Sequence, residues 1–153
     1  MSICLKSDSY PDFFVKHGLS ALLYEYLTEM IGHDHWIESP HIIAQEFKDK
    51  SFFQINKANQ TIGFGAYKSE LIDDQNSFTL YEFFVQKAHR SLNQLYEIRR
   101  QIIIALRILG VKIWCACVDN EDEKKMRAYK GLGFLPMMVD KDFLYMGMKI
   151  KEL

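Results

Sequence analysis

"FFVQKAHRSLNQLYEIRR", residues 83–100, opens as an apolar strand, turns through a basic elbow and continues as a helix. The reading on both sides of that elbow decides the fold. Upstream, "SFTLYEFFVQK" (77–87) is rich in aromatic and β-branched residues, as a strand requires. Downstream, Leu95, Ile98, Ile102, Ala105 and Leu109 share one helical stripe, and Ile103, Ile104, Leu106 and Ile108 widen it. The spacing predicts a helix over 92–109, covered on most sides. Gly110 stands where a helix C-cap glycine belongs, and "VKIWCACV" (111–118) reads as a buried strand. Strand 78–87, helix 92–109 and strand 111–118 therefore form a βαβ unit, whose strands run parallel with a right-handed crossover.

Working outward, "SFFQINKANQTIGFGAYKSEL" (51–71) reads as two extended runs, 52–57 and 61–71, around a turn at Ala58 to Gln60. Further upstream, Leu19, Leu22, Leu23, Tyr26, Leu27 and Met30 have helical spacing in a segment that follows Pro11 and stops at Gly32. A shorter helix is expected from Pro40 through Phe47. After the βαβ unit comes a polar helix, about Asn120 to Gly131. Its acids Glu121, Asp122 and Glu123 come first and its bases Lys124, Lys125, Arg127 and Lys130 later, the order the helix dipole favours. Strands at 134–139 and 143–150 close the chain. The fold class is α+β in α/β/α layers: a mixed central sheet with an antiparallel hairpin and one βαβ crossover, and helices on both faces.

A chain of 153 residues, 48% apolar and 14% aromatic, suits one well-packed domain spanning 1–153. A net charge of -1 and a pI near 6.5 create no global field for nucleic acid or anionic lipid, so neither is expected as a partner. No apolar run approaches the roughly 20 residues that span a bilayer, and the start "MSICLKSDSYPDFF" lacks the basic-then-apolar order of a secretory signal, which points to the cytosol. Cys115 and Cys117 lie two apart in a strand, a poor geometry for bridging, and Cys4 leaves an odd thiol, so all three are expected reduced. "KIWCACV" offers no basic setting for a catalytic thiolate.

Charge is concentrated at the elbow and the helix after it. Residues 86–107 carry Lys87, Arg90, Arg99, Arg100 and Arg107 against Glu97, a net +4, which leaves -5 for the remainder. Arg99, Arg100 and Arg107 read as a solvated helix face. Lys87 and Arg90 lie at the corner itself, where positive side chains converge with the first amides of a helix, a setting suited to an anion.

With these residues in view, the chain resembles the GNAT superfamily of acyl-CoA N-acyltransferases over roughly residues 12–150. The family's strand-elbow segment commonly reads V-x-P-x-x-R-x-x-G-x-G. Here it reads V-Q-K-A-H-R-S-L-N-Q-L over residues 85–95, keeping Val85 and Arg90. The family's late Y-x-K-x-G-F is similar to "YKGLGF" (129–134), with Tyr129 and Phe134. Asn93 and Leu95 replace the two loop glycines; asparagine tolerates left-handed backbone angles, whereas Leu95 places a side chain near the phosphate path.

The resemblance implies an N-acetyltransferase in which a primary amine, on a small molecule or a protein, attacks acetyl-CoA directly in a ternary complex. It assigns coenzyme contacts to Phe84 and Val85 on the strand, Lys87, Arg90 and Ser91 in the elbow, Asn93, Gln94 and Leu95 at the helix start, and Asn120 after the next strand. Glu82, three residues before Val85, matches the family's general base, and Tyr129 the donor of a proton to the thiolate. Glu82 shares a strand face with Leu80 and Phe84, a setting expected to raise a carboxylate's pKa. The alternative is a GNAT-fold binding protein without catalysis, its glycine loop lost. His33 and His35 in "GHDHW" lack the companion ligands of a zinc site, and no metal is expected. With Trp36 they are candidates for substrate contact, as His89 is for phosphate. Phe143 and Tyr145, taken as exposed aromatics of the last strands, mark a candidate homodimer edge.

Overall fold

The computed structural model of the chain describes residues 1–5, 8–10, 12–30 and 44–151. His33, His35, Trp36 and the start of the helix expected from Pro40 lie outside the described residues; residues 44–46 are helical. The elements are β1 (Ser2–Leu5), α1 (Asp12–Lys16), α2 (Ser20–Met30), β2 (Ser51–Lys57), β3 (Gln60–Ile72), β4 (Gln75–Val85), a 3-10 turn (Lys87–His89), α3 (Leu92–Ile108), β5 (Ile113–Asp119), α4 (Glu123–Gly131), β6 (Leu135–Asp140) and β7 (Phe143–Lys149). The strands form a mixed sheet in the order β1-β2-β3-β4-β5-β7-β6. The contacts of the chain cluster into two units: Met1–Ala66 with Glu82–Ser91, and Tyr67–Tyr81 with Leu92–Leu153.

The expected crossover is present. β4 and β5 pair in parallel, Ser77 to Leu80 against Ile113 to Ala116, and β4 then continues to Val85. Gly110, at φ +72, ends α3, and the amide of Val111 donates to the Leu106 carbonyl at 3.0 Å. The hairpins turn on residues with left-handed angles: Ala58 (φ 49) with Asn59 (φ 63), and Asp73 (φ 49) with Asp74 (φ 63). Such two-residue turns match the twist of the strands they join.

Three expectations are corrected. The first helical segment is two helices, because Gly18 sits at φ +67 and breaks the run between α1 and α2. α3 buries one stripe, Ile98, Ile102 and Leu106, while Ile104, Ile108 and Leu109 stay exposed, so it is not covered on most sides. β7 pairs with β5 on one side and β6 on the other, so β6 and not β7 is the edge strand there; Phe143 is exposed as expected, whereas Tyr145 is half-buried. β1, antiparallel to β2, is an addition to the expected elements.

The first unit is held by an aromatic cluster. Phe13 stacks on Phe52 at 5.1 Å, Phe14 meets Phe64 edge-on at 5.0 Å, and Tyr26 and Phe84 join them. In the second unit Phe134 packs edge-on against both Trp114 (4.8 Å) and Tyr129 (5.3 Å).

Candidate functional site

The end of β4 carries candidate site residues of the first unit, Glu82, Phe84 and Val85. Strand alternation puts Leu80, Glu82 and Phe84 on one face, and Leu80 and Phe84 are buried. Glu82 is half-buried, and its carboxylate is held at both oxygens. The Tyr26 hydroxyl donates to Oε2 at 2.7 Å, and the amide of Phe83 donates to Oε1 at 3.1 Å. Burial, the Glu82 charge and this hydrogen bond all push the Tyr26 pKa far upward. Tyr26 therefore stays protonated and donates at every physiological pH.

Beyond Glu82, β4 lies close to its neighbour. A Cβ on Gly63 would meet the Phe84 carbonyl oxygen at 2.3 Å and the Val85 Cα at 3.1 Å, so only glycine fits there. The Gln86 amide donates to the Ile62 carbonyl at 2.8 Å and closes the strand. The chain then turns through Lys87–His89, with Lys87 exposed and His89 half-buried.

Arg90 folds back onto this corner. Its Nε donates to the Val85 carbonyl at 2.6 Å, and its guanidinium lies over the Phe84 ring at 5.3 Å. The two terminal nitrogens grip the Glu29 carboxylate at 2.5 and 2.6 Å, a bidentate pair. The Arg90 guanidinium holds the Glu29 carboxyl below its ordinary range. From the same helix, Glu25 accepts a hydrogen bond from Gln86 Nε2 at 3.2 Å. The elbow thus holds an anion, and α2 supplies it.

The structure brings Glu82, Phe84, Val85, Lys87, Arg90 and Ser91 into the first unit, and puts Asn93, Gln94, Leu95, Asn120 and Tyr129 in the second. Asn93 is exposed, whereas Gln94 and Leu95 are half-buried in the first turn of α3. Asn120 ties the exit of β5 to the β6–β7 turn: its amide donates to the Asp142 carbonyl at 2.8 Å and its side chain to the Lys141 carbonyl at 3.4 Å. Tyr129 is buried against Phe134. Two side chains that hold the candidate residues Glu82 and Arg90 escaped the sequence reading, Tyr26 and Glu29. Their partners lie 56 and 61 residues away, and Tyr26 sits within an apolar stripe. The i, i+4 pair Glu25 and Glu29 on α2 was the available signal, an acidic ridge awaiting a basic partner.

Among the described residues, no group of three or more His, Cys, Asp or Glu side chains could hold a metal ion, and no helix is long and apolar enough to cross a membrane.

No protein-family model matches the sequence, and no curated protein sequence matches it. Solved structures do. An aminoglycoside N(6')-acetyltransferase from Legionella pneumophila superposes with TM-score 0.62 at 14% identity, over 98% of this chain and 93% of its own. A PaiA N-acetyltransferase from Thermoplasma acidophilum, in complex with coenzyme A, gives 0.60 at 16% identity over 97% and 99%. A GNAT-family acetyltransferase from Listeria monocytogenes gives 0.60 at 13% identity over 96% and 94%. The mixed seven-stranded sheet with its single parallel crossover is the fold of the GNAT acetyltransferases.

Proposed function

We propose that the chain is an N-acetyltransferase that passes an acetyl group from acetyl-CoA to a primary amine by direct attack in a ternary complex. The observation that carries this reading is the half-buried Glu82 carboxylate, oriented by Tyr26 and the Phe83 amide three residues before Val85. A fixed carboxylate at that point can take the proton of an incoming ammonium. The backbone at Val85 polarises the thioester carbonyl, and Tyr129 returns a proton to the departing thiolate. Phe84, Val85, Lys87, Arg90, Ser91, Asn93, Gln94, Leu95 and Asn120 hold the coenzyme. Arg90 already grips a carboxylate with both terminal nitrogens, so its fork is shaped for an oxyanion. Acetyl-CoA supplies the activated thioester. The fold neighbours named above include one whose name specifies an aminoglycoside, an amine, and one bound to coenzyme A, which supports the same pair of substrate classes here.

One observation favours the alternative, a GNAT-fold binding protein without catalysis: Glu29 occupies Arg90, and residues 86–95 contain no glycine. A thermal-shift titration separates the two. Acetyl-CoA at about 100 times its Kd adds about 2.7 kcal/mol, a Tm rise of roughly 5–10 °C for this length. With an amine acceptor present, thiol release should follow. Glu82→Gln and Tyr129→Phe should each slow that release by about tenfold or more while leaving the thermal shift intact. No shift at millimolar acetyl-CoA removes the transferase reading, and a shift without thiol release from a panel of amines favours the binding protein.

A further inference from the structure

A second basic feature, wholly within the second unit, lies between α3 and the end of β7. A groove of about 410 Å³ is rimmed by Arg99, Arg100, Arg107, Lys149 and Lys151. Its floor is aliphatic: Ile103, Ile104, Met148 and Ile150. The solvated helix face expected from the sequence is thus one wall of a concave site with a matching wall on the last strand. Among the described residues no acidic side chain lines it. Arg100 is paired with Glu97, with contacts of 3.0 and 2.8 Å, but among the described residues Arg99, Arg107, Lys149 and Lys151 are in no ion pair. Arg99 and Arg107 are instead braced by backbone: Nε of Arg99 donates to the Leu132 carbonyl at 2.6 Å and Nε of Arg107 to the Lys151 carbonyl at 2.8 Å. Bracing at Nε fixes each guanidinium plane, and among the described residues no acceptor engages the terminal nitrogens. A guanidinium held this way loses little freedom on taking a carboxylate.

The spacing selects the ligand. Arg99 and Arg107 are eight residues apart on α3, which is about 12 Å along a helix axis. An extended chain covers about 13 Å in four residues, close to that separation, and its side chains at positions i, i+2 and i+4 point the same way. Ile103 is midway between the two arginines. We propose that this groove binds an extended acidic peptide segment of a partner protein, patterned acid-x-aliphatic-x-acid: the two carboxylates meet Arg99 and Arg107, and the aliphatic side chain between them enters the Ile103–Ile104–Met148 floor. Lys149 and Lys151 on the opposite wall add attraction along its length. Charge complementarity calls for an acidic ligand, and the aliphatic lining between the cations favours a peptide over the other polyanions. Among the described residues the lining contains no aromatic side chain on which a base could stack, and a concave floor does not present its aliphatic groups to a flat membrane.

Fluorescence anisotropy with a labelled peptide containing Glu-Ser-Leu-Ser-Glu tests the assignment on the whole chain, against a peptide of equal composition with its two glutamates adjacent. The spaced peptide should bind at least tenfold more tightly than the scrambled one. Arg107→Glu and Lys149→Glu should each weaken it by about tenfold, and Ile104→Ala by less, with melting curves unchanged at the exposed Lys149. Saturating acetyl-CoA should leave peptide affinity unaltered, since no residue of this groove belongs to the elbow. The proposal is overturned if the spaced peptide shows no binding at millimolar concentration, if the scrambled peptide binds equally well, if both charge reversals leave affinity intact, or if a thymidine oligonucleotide or phosphatidylglycerol vesicles displace the peptide by occupying the groove more tightly.

Discussion

Every nitrogen of the Arg90 guanidinium is engaged inside the first unit, by the Val85 carbonyl and by Glu29. A coenzyme phosphate that uses the Arg90 fork must therefore displace Glu29. The pair is solvent-accessible on both sides, 32% and 42% exposed, so its strength is that of a surface salt bridge, up to about 1 kcal/mol. Glu29→Gln should accordingly tighten coenzyme A binding by about two- to fivefold, read by isothermal titration. A weakened affinity would mean instead that Glu29 holds Arg90 in its binding geometry. The pH dependence has a definite sign. Because Arg90 depresses the folded-state pKa of Glu29, the pair's contribution is present above the ordinary carboxylate range and is lost as pH falls through the depressed value. Mimicking the substitution by pH therefore requires acid below the ordinary carboxylate range, where Tyr26, whose own pKa is displaced upward, is still protonated.

At the scale of elements, the close approach of β3 to the end of β4 is what positions Glu82, Phe84 and Val85. Gly63→Ala would drive a methyl into the Phe84 carbonyl oxygen and the Val85 Cα. Backbone cannot swing aside as a flexible side chain can, so the strands must separate. An overpacking cost of about 1–3 kcal/mol is expected, a Tm loss of roughly 2–12 °C at this length. Activity should fall further than the residual stability explains, because the displaced atoms belong to the site; an unperturbed Tm would show that the strands tolerate the methyl. The βαβ unit and the C-terminal strand pair were legible because each rests on local periodicity and a cap, as at Gly110. The break at Gly18 was not, since Leu19 to Met30 continue a plausible apolar stripe past it. β1, four residues long, has too little alternation to announce itself. α3 misled for a related reason: apolar residues surround its axis, but only the stripe through Ile98, Ile102 and Leu106 is buried. In the proposed site, Glu82 could be nominated from strand alternation and family resemblance, and the structure adds the contacts that hold its carboxylate. Tyr26 and Glu29 could not, because their roles depend on contacts that only the tertiary fold creates.

For the molecule as a whole, the three cysteines, Cys4, Cys115 and Cys117, none of them in a disulfide, provide a gauge of cohesion. Cys4 and Cys117 are partly exposed, whereas Cys115 is fully buried in β5. Burial pushes the Cys115 thiol up to about 11, so at pH 8 only about one in a thousand is ionised even before access is considered. The thiolate is the reactive species, and inaccessibility and protonation act in the same direction. In native buffer, a disulfide reagent followed by mass spectrometry should modify Cys4 and Cys117 first and leave Cys115 intact. Labelling of Cys115 should require denaturant, with a rate that follows the unfolding transition seen by circular dichroism. If Cys115 reacts in native buffer as fast as Cys4, then β5 opens locally, and the strand that pairs with both β4 and β7 is not the fixed centre of the second unit. If it stays protected until the whole transition, the same measurement in the Gly63→Ala variant reports whether strain at the end of β4 reaches β5: earlier labelling of Cys115 at equal denaturant means that it does.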